Sequence, residues 1–209
     1  SWSFEFPIGQ LLSVDPLMNL LFEALLNQSE SPDVFDAAVE CLCVILKESR
    51  DAQNEQVINS LFQQVLGLQL KLLPTILTIS RQMVEDELDA DILEGMTRIF
   101  TEACDSWCVF ISKSPEPFLP LVNTLLALTC KNPDLEIAAY SFSFWFSFKQ
   151  NLVLPRYQES RRIYTPIFIE LINGIIVDLE YPADGFSSKE DEDKFKDFRY
   201  TMGDVLKAV

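Results

Sequence analysis

The 209-residue sequence contains no histidine, and that absence alone removes His-based triads, Cys–His dyads and imidazole metal sites. Glycine is scarce, with six scattered residues, so no Gly-rich loop is present to cradle a phosphate. The five cysteines, Cys41, Cys43, Cys104, Cys108 and Cys130, form no CxxC pair. They lie in apolar runs, the setting of buried reduced thiols rather than of disulfides or metal ligands. Basic residues are few: 16 Lys plus Arg stand against 32 Asp plus Glu, a formal charge of −16. Such a balance repels phosphate backbones and favours basic protein partners, so direct nucleic-acid binding is not expected. Apolar runs all fall short of the roughly 20 residues a bilayer demands, which argues against membrane insertion. Carboxylate pairs such as Asp86 with Asp89 sit in a solvated charge run without a pocket signal. No enzyme, cofactor or metal is therefore expected.

What is present is apolar sequence at helical spacing, 48% hydrophobic overall, without strand-like alternation anywhere. The most apolar stretch is 133–152, PDLEIAAYSFSFWFSFKQNL, read as one central helix. It carries two apolar rows and so needs cover on two sides, as in a stack of helical hairpins. Asp15-Pro16, Ser31-Pro32, Ser114-Pro115 and Asn132-Pro133 each place a proline where a helix starts well. From residue 56 a long periodic segment contains Pro74, which predicts a kink or a break before a further helix over 75–84. From Leu88, residues Ile92, Leu93, Met96, Ile99, Phe100, Ala103, Trp107 and Ile111 read as a single helix. The design recurs over 154–179, with Gly174 as a weak spot. The acidic stretch 181–196 (YPADGFSSKEDEDKFK) reads as a loop, and Phe195, Phe198, Met202, Val205 and Leu206 begin a last helix.

A helix start about every 20 residues implies a hairpin about every 40, the period of HEAT or armadillo arrays. The expected fold is all-α: one HEAT-repeat superhelix of stacked antiparallel hairpins over 1–209, four to five in number, with 181–196 as an acidic loop. The chain opens without Met, on the aromatic stretch SWSFEFPIGQLL with Trp2, Phe4 and Phe6, and stops within periodic sequence, so the array is expected to be truncated at both ends. Leu42, Trp107, Phe142, Trp145, Phe146 and Phe168 are the expected core. A plain helical bundle is the competing architecture.

Four blocks, 31–48 (SPDVFDAAVECLCVILKE), IFTE from Ile99 followed by Ala103 and Cys104, SFSFWF from Ser141, and 193–207 (DKFKDFRYTMGDVLK), occur in this order in a known family. In them the chain resembles the transportin-SR and mRNA-transport-regulator branch of the importin-β superfamily, the karyopherins, with importin-thirteen as a near relative. The resemblance spans the whole chain and corresponds to an interior part of a much longer receptor. It implies a nuclear transport receptor, shuttling between cytoplasm and nucleus, with three kinds of partner: GTP-bound Ran, basic cargo rich in Arg-Ser or Arg-Gly such as an RNA-binding protein, and Phe-Gly nucleoporins. The alternative is a HEAT-type scaffold or protein-interaction module without a transport role.

Two acidic clusters are the candidate partner-binding sites. One holds Asp86, Glu87, Asp89, Asp91 and Glu94; the other holds Glu190, Asp191, Glu192, Asp193 and Asp197. Each also has a purely structural explanation, since carboxylates near a helix start favour its dipole.

Overall fold

A computed structural model describes residues 9–10, 15–27, 31–50, 55–79, 87–130, 132, 134–181 and 185–208. Among them all regular structure is helical. The helices are α1 (Asp15–Leu26), α2 (Pro32–Ser49), α3 (Glu55–Ile79), α4 (Glu87–Ser106) and α5 (Cys108–Lys113). There follow α6 (Pro115–Cys130), α7 (Leu135–Ala139), α8 (Phe142–Leu152), a 3₁₀ turn (Pro155–Tyr157), α9 (Gln158–Asp178) and α10 (Lys189–Ala208).

The packing alternates along the chain. Helices α1, α3, α6 and α9 stack in one layer, and α2, α4 with α5, α8 and α10 in the other. Each element thus meets a partner in the opposite layer and a neighbour two elements away, the arrangement of a HEAT-like array. The core between the layers holds Leu42, Trp107 and Trp145, all fully buried, and Phe142 close behind.

Prolines open the helices where the sequence placed them. Pro32 occupies the first turn of α2 behind an extended Ser31, and Pro115 is the first residue of α6. The Asp134 carboxylate accepts from the backbone N–H groups of Glu136 and Ile137 at 2.8 and 3.3 Å, which starts α7.

The helix expected from Leu88 through Ile111 is interrupted at Trp107, where ψ turns to 14°. Helical bonding nevertheless continues on either side, from Trp107 N–H to Ala103 O and from Ile111 N–H to Trp107 O. Apolar spacing reads through such a kink unchanged. The central helix expected over 133–152 is likewise two helices, α7 and α8. Tyr140 and Ser141 bond back to Ile137 and Ala138, three residues earlier, and the Ser141 hydroxyl also donates to the Ala138 carbonyl. A serine bonding its own backbone competes with helix continuation.

Two members of the expected core are corrected. On α8 the inward side carries Phe144, Trp145 and Phe148, all fully buried, while Phe146 points out and is 45% exposed. Phe168 is half-buried, set edge-on to Trp145 at 5.9 Å and stacked on Phe148 at 5.8 Å. Gly174 is no weak spot but a point of close approach: a Cβ there would meet Cys130 Sγ at 2.5 Å.

Helix α3 runs through Pro74 unbroken, and much of the helix expected over 75–84 lies outside the described residues, as do Trp2, Phe4, Phe6 and Asp86. The loop expected over 181–196 is helical from Lys189 onward. Its start is capped by Ser188, whose Oγ accepts from the Asp191 N–H at 3.1 Å and whose hydroxyl donates to the Asp191 carboxylate at 2.8 Å. The Ser188 hydroxyl thus satisfies one free backbone donor of the helix end, and the first-turn acids Glu190, Asp191 and Glu192 suit its dipole.

Candidate functional site

Three separated stretches, the start of α4, the start of α7 and the first half of α10, enclose one open groove of about 670 Å³. Its apolar lining is Ala90 and Leu93 from α4, Leu135 and Ile137 from α7, and Phe186, Phe195 and Phe198 from α10 and the segment before it. Its charged lining is Asp134, Glu136 and Asp191, with Lys194 as the lone cation among the described lining residues.

Aromatic packing sets the α10 side of the groove. Phe195 and Phe186 stand 5.2 Å apart, Phe195 and Phe198 6.4 Å, and Tyr181 packs edge-on to both Phe186 and Phe195. Phe198 reaches across to Phe142 at 6.4 Å and so docks α10 on α8. The Arg199 guanidinium lies 4.4 Å over the Tyr181 ring.

The acidic candidates divide between groove and solvent. Glu87 and Asp89 lie in the first turn of α4, but their side chains are not among those described. Asp91 is exposed. Glu94 accepts from the Tyr140 hydroxyl at 3.2 Å, and its charge pushes the Tyr140 phenol upward. In the second cluster most charge is spent within α10: Glu190 pairs with Lys194 at 3.5 Å, Glu192 with Lys196 at 2.8 Å, and Asp193 with Lys196 at 3.4 Å. Asp191 is held below the usual carboxylate range by the Ser187 and Ser188 hydroxyls. Asp197 is exposed. Among the described candidates Asp191 alone lines the groove, whose other two described carboxylates come from the start of α7.

Asp134 and Glu136 were not among the candidates of the sequence reading. A signal existed, because Asp134 immediately precedes an apolar run as an N-cap should. A second polar site was also missed. Asp105 lies between α4 and α8 with Arg50, Ser143 and Asn151 around a cleft of about 550 Å³. Burial, and then the nearby Glu102, push its carboxyl up to about 6. Arg98 ties α4 to α2, with Glu40 at 2.6 Å and Asp36 at 3.7 Å.

Burial pushes the Cys43 thiol up to about 12 and the Cys108 thiol up to about 11, so both stay protonated near neutrality. Among the described residues no three Cys, Asp or Glu side chains gather as metal ligands, and no helix is long and apolar enough to cross a membrane.

Comparison with known proteins places this geometry. The sequence profile described as the Transportin-3/Importin-13 second TPR domain matches residues 88–177, from α4 into α9. The mRNA transport regulator MTR10 of Saccharomyces cerevisiae is 62% identical over 208 residues, 99% of this chain and 21% of that protein. Importin-13 of Gallus gallus is 23% identical over 209 residues, 93% of this chain and 21% of that protein. Transportin MOS14 of Arabidopsis thaliana is 26% identical over 150 residues, covering 65% of this chain and 16% of that protein. The chain spans about a fifth of the length of the relatives it matches.

Proposed function

The chain belongs to the transportin and importin-13 branch of the importin-β superfamily, and on that premise we propose that it is a segment of a nuclear import receptor. The observation that carries this reading is the 62% identity, across nearly the whole chain, with a protein named an mRNA transport regulator. In the proposed cycle the receptor takes up basic, Arg-Ser or Arg-Gly rich cargo in the cytoplasm and passes the pore by contact with Phe-Gly nucleoporins. GTP-bound Ran then releases the cargo in the nucleus. The contribution of this segment is curvature together with an acidic surface. A charge of −16 on 209 residues raises the encounter rate with a basic partner and lowers it with other acidic chains.

The test is nucleotide dependence in the full-length protein. Ran loaded with GTP is expected to bind and to displace a pre-bound Arg-Ser peptide, while Ran loaded with GDP does neither. Equal behaviour in both nucleotide states would identify a helical scaffold rather than a transport receptor.

A further inference from the structure

We propose that the groove between α4, α7 and α10 is a docking site for an arginine-rich segment of a partner protein. The inference rests on the transport-receptor reading and gives the basic partner a place to sit.

The argument is one of complementarity. The groove has an aromatic wall of Phe186 and Phe198 and a rim of Asp134, Glu136 and Asp191. A neutral apolar helix laid there would strip water from carboxylates and give them nothing in return, which is costly. A nucleic acid or a second copy of this chain would bring negative charge to an acidic rim. An arginine side chain satisfies both surfaces at once. Its planar, weakly hydrated guanidinium stacks on aromatic rings and forks onto carboxylates, whereas the compact and strongly hydrated lysine ammonium does only the second well. The molecule already makes one such contact at the edge of this aromatic cluster, where Arg199 covers Tyr181.

Two residues define the charge available to the partner. Glu136 is exposed and has no ion-pair partner among the described residues. Lys194, also exposed, is the lining cation and is shared with Glu190 at 3.5 Å, so its charge partly opposes an incoming arginine. The Asp134 carboxylate caps α7 and the Asp191 carboxylate accepts from the Ser187 and Ser188 hydroxyls, yet a carboxylate has lone pairs for more than one donor.

The experiment uses the full-length protein and a fluorescein-labelled Arg-Gly repeat peptide, followed by anisotropy at low and at physiological ionic strength. Glu136→Lys is expected to weaken binding by about fivefold at low salt, with a smaller effect at physiological salt. Lys194→Gln is expected to tighten it by about two- to threefold, an outcome that misfolding cannot imitate. The same peptide with lysine for arginine should bind more weakly. If the parent protein binds the peptide but neither substitution changes the affinity, the groove is not the site, while the transport reading survives. A lysine peptide or a neutral amphipathic peptide that binds equally well and responds equally to both substitutions would show that the occupant was misidentified. A parent protein that binds GTP-loaded Ran but not the peptide would also overturn the groove. Failure to bind either one would bring down the transport reading with it.

Discussion

The indole N–H of Trp107 donates to the hydroxyl of Ser49 at 3.0 Å, joining the kink after α4 to the last turn of α2 across 58 residues of sequence. Both residues are fully buried, and the Ser49 hydroxyl passes the bond on to the Leu46 carbonyl. A buried indole without an acceptor pays the desolvation of its N–H in full. Ser49→Ala is therefore expected to destabilise by about 1–3 kcal/mol although it removes only one oxygen. Trp107→Ala should cost about 3–5 kcal/mol through the cavity it leaves. Denaturant unfolding of both single variants and of the double checks this, and the double should cost less than the sum. Additive losses would mean that the hydroxyl and the indole are not coupled.

Gly174 sets the distance between α9 and α6. A Cβ at this position would lie 2.5 Å from Cys130 Sγ and 2.7 Å from its Cβ; the Sγ can rotate away but the Cβ cannot, so the backbones must move apart. Gly174→Ala should thus destabilise by about 1–3 kcal/mol, against the gain of about 1 kcal/mol that alanine usually brings to a helix interior. Gly203 on α10 is the control, because nothing lies within 4 Å of a Cβ built there. Gly203→Ala should stabilise. Thermal unfolding of the two variants side by side reads the difference in sign.

Asp105 makes stability depend on pH. Its carboxyl is raised to about 6 by burial and by Glu102, with Arg50 just past the end of α2 and a hydrogen bond from Ser143 on α8 acting the other way. An unfolded aspartate titrates near ~4, so between about pH 4 and pH 6 the folded chain holds a proton that the unfolded chain has lost. This group's contribution is complete below the unfolded value and is lost as pH rises through about 6. Asp105→Asn removes that loss. The difference in melting temperature, variant minus parent, should grow from pH 4 to about 6 and then level off. A constant difference would show that the site carries no such linkage.

How far the sequence disclosed this molecule depends on which residues act locally. Pro32 and Pro115 announce helix starts by themselves, and the apolar spacing around Leu42, Trp107 and Trp145 marks a face that packs in any hairpin array. The breaks at Trp107 and at Tyr140–Ser141 were hidden, because each preserves the spacing of buried residues while turning the axis. Phe146 was misread for another reason: α8 offers two apolar rows, and the row of Phe144 and Phe148 faces inward with Trp145, which leaves Phe146 on the solvent side. The start of α10 was legible and was missed, since Ser188 followed three residues later by Asp191 is a capping signature. The groove could not be read at all. Ala90, Glu136 and Phe198 lie on elements far apart in sequence, and only stacking of the layers makes them neighbours.

The Ser188 cap yields the last prediction. Ser188 and Asp191 satisfy each other at the head of α10, so Ser188→Ala should cost about 1 kcal/mol, confined to that helix. Amides in the first turns of α10 should then exchange about fivefold faster, whereas those of α2 and α4 should not change, because hairpin arrays transmit damage mainly to neighbours. The pH dependence runs opposite to that of Asp105. Asp191 is held low by the two serine hydroxyls, so its contribution is present above the unfolded carboxylate value and is lost as pH falls through its lowered folded value. Exchange in α10 should accordingly rise relative to α2 on acidification, after correction for the intrinsic rate, and Ser188→Ala should blunt that rise. Phe195 and Phe198 ride on the same helix, about two and three turns beyond the cap. Loss of the cap should therefore loosen the aromatic wall of the groove and weaken binding of an Arg-Gly peptide. If α10 exchange rises and peptide affinity stays the same, the first turn of α10 does not shape the groove.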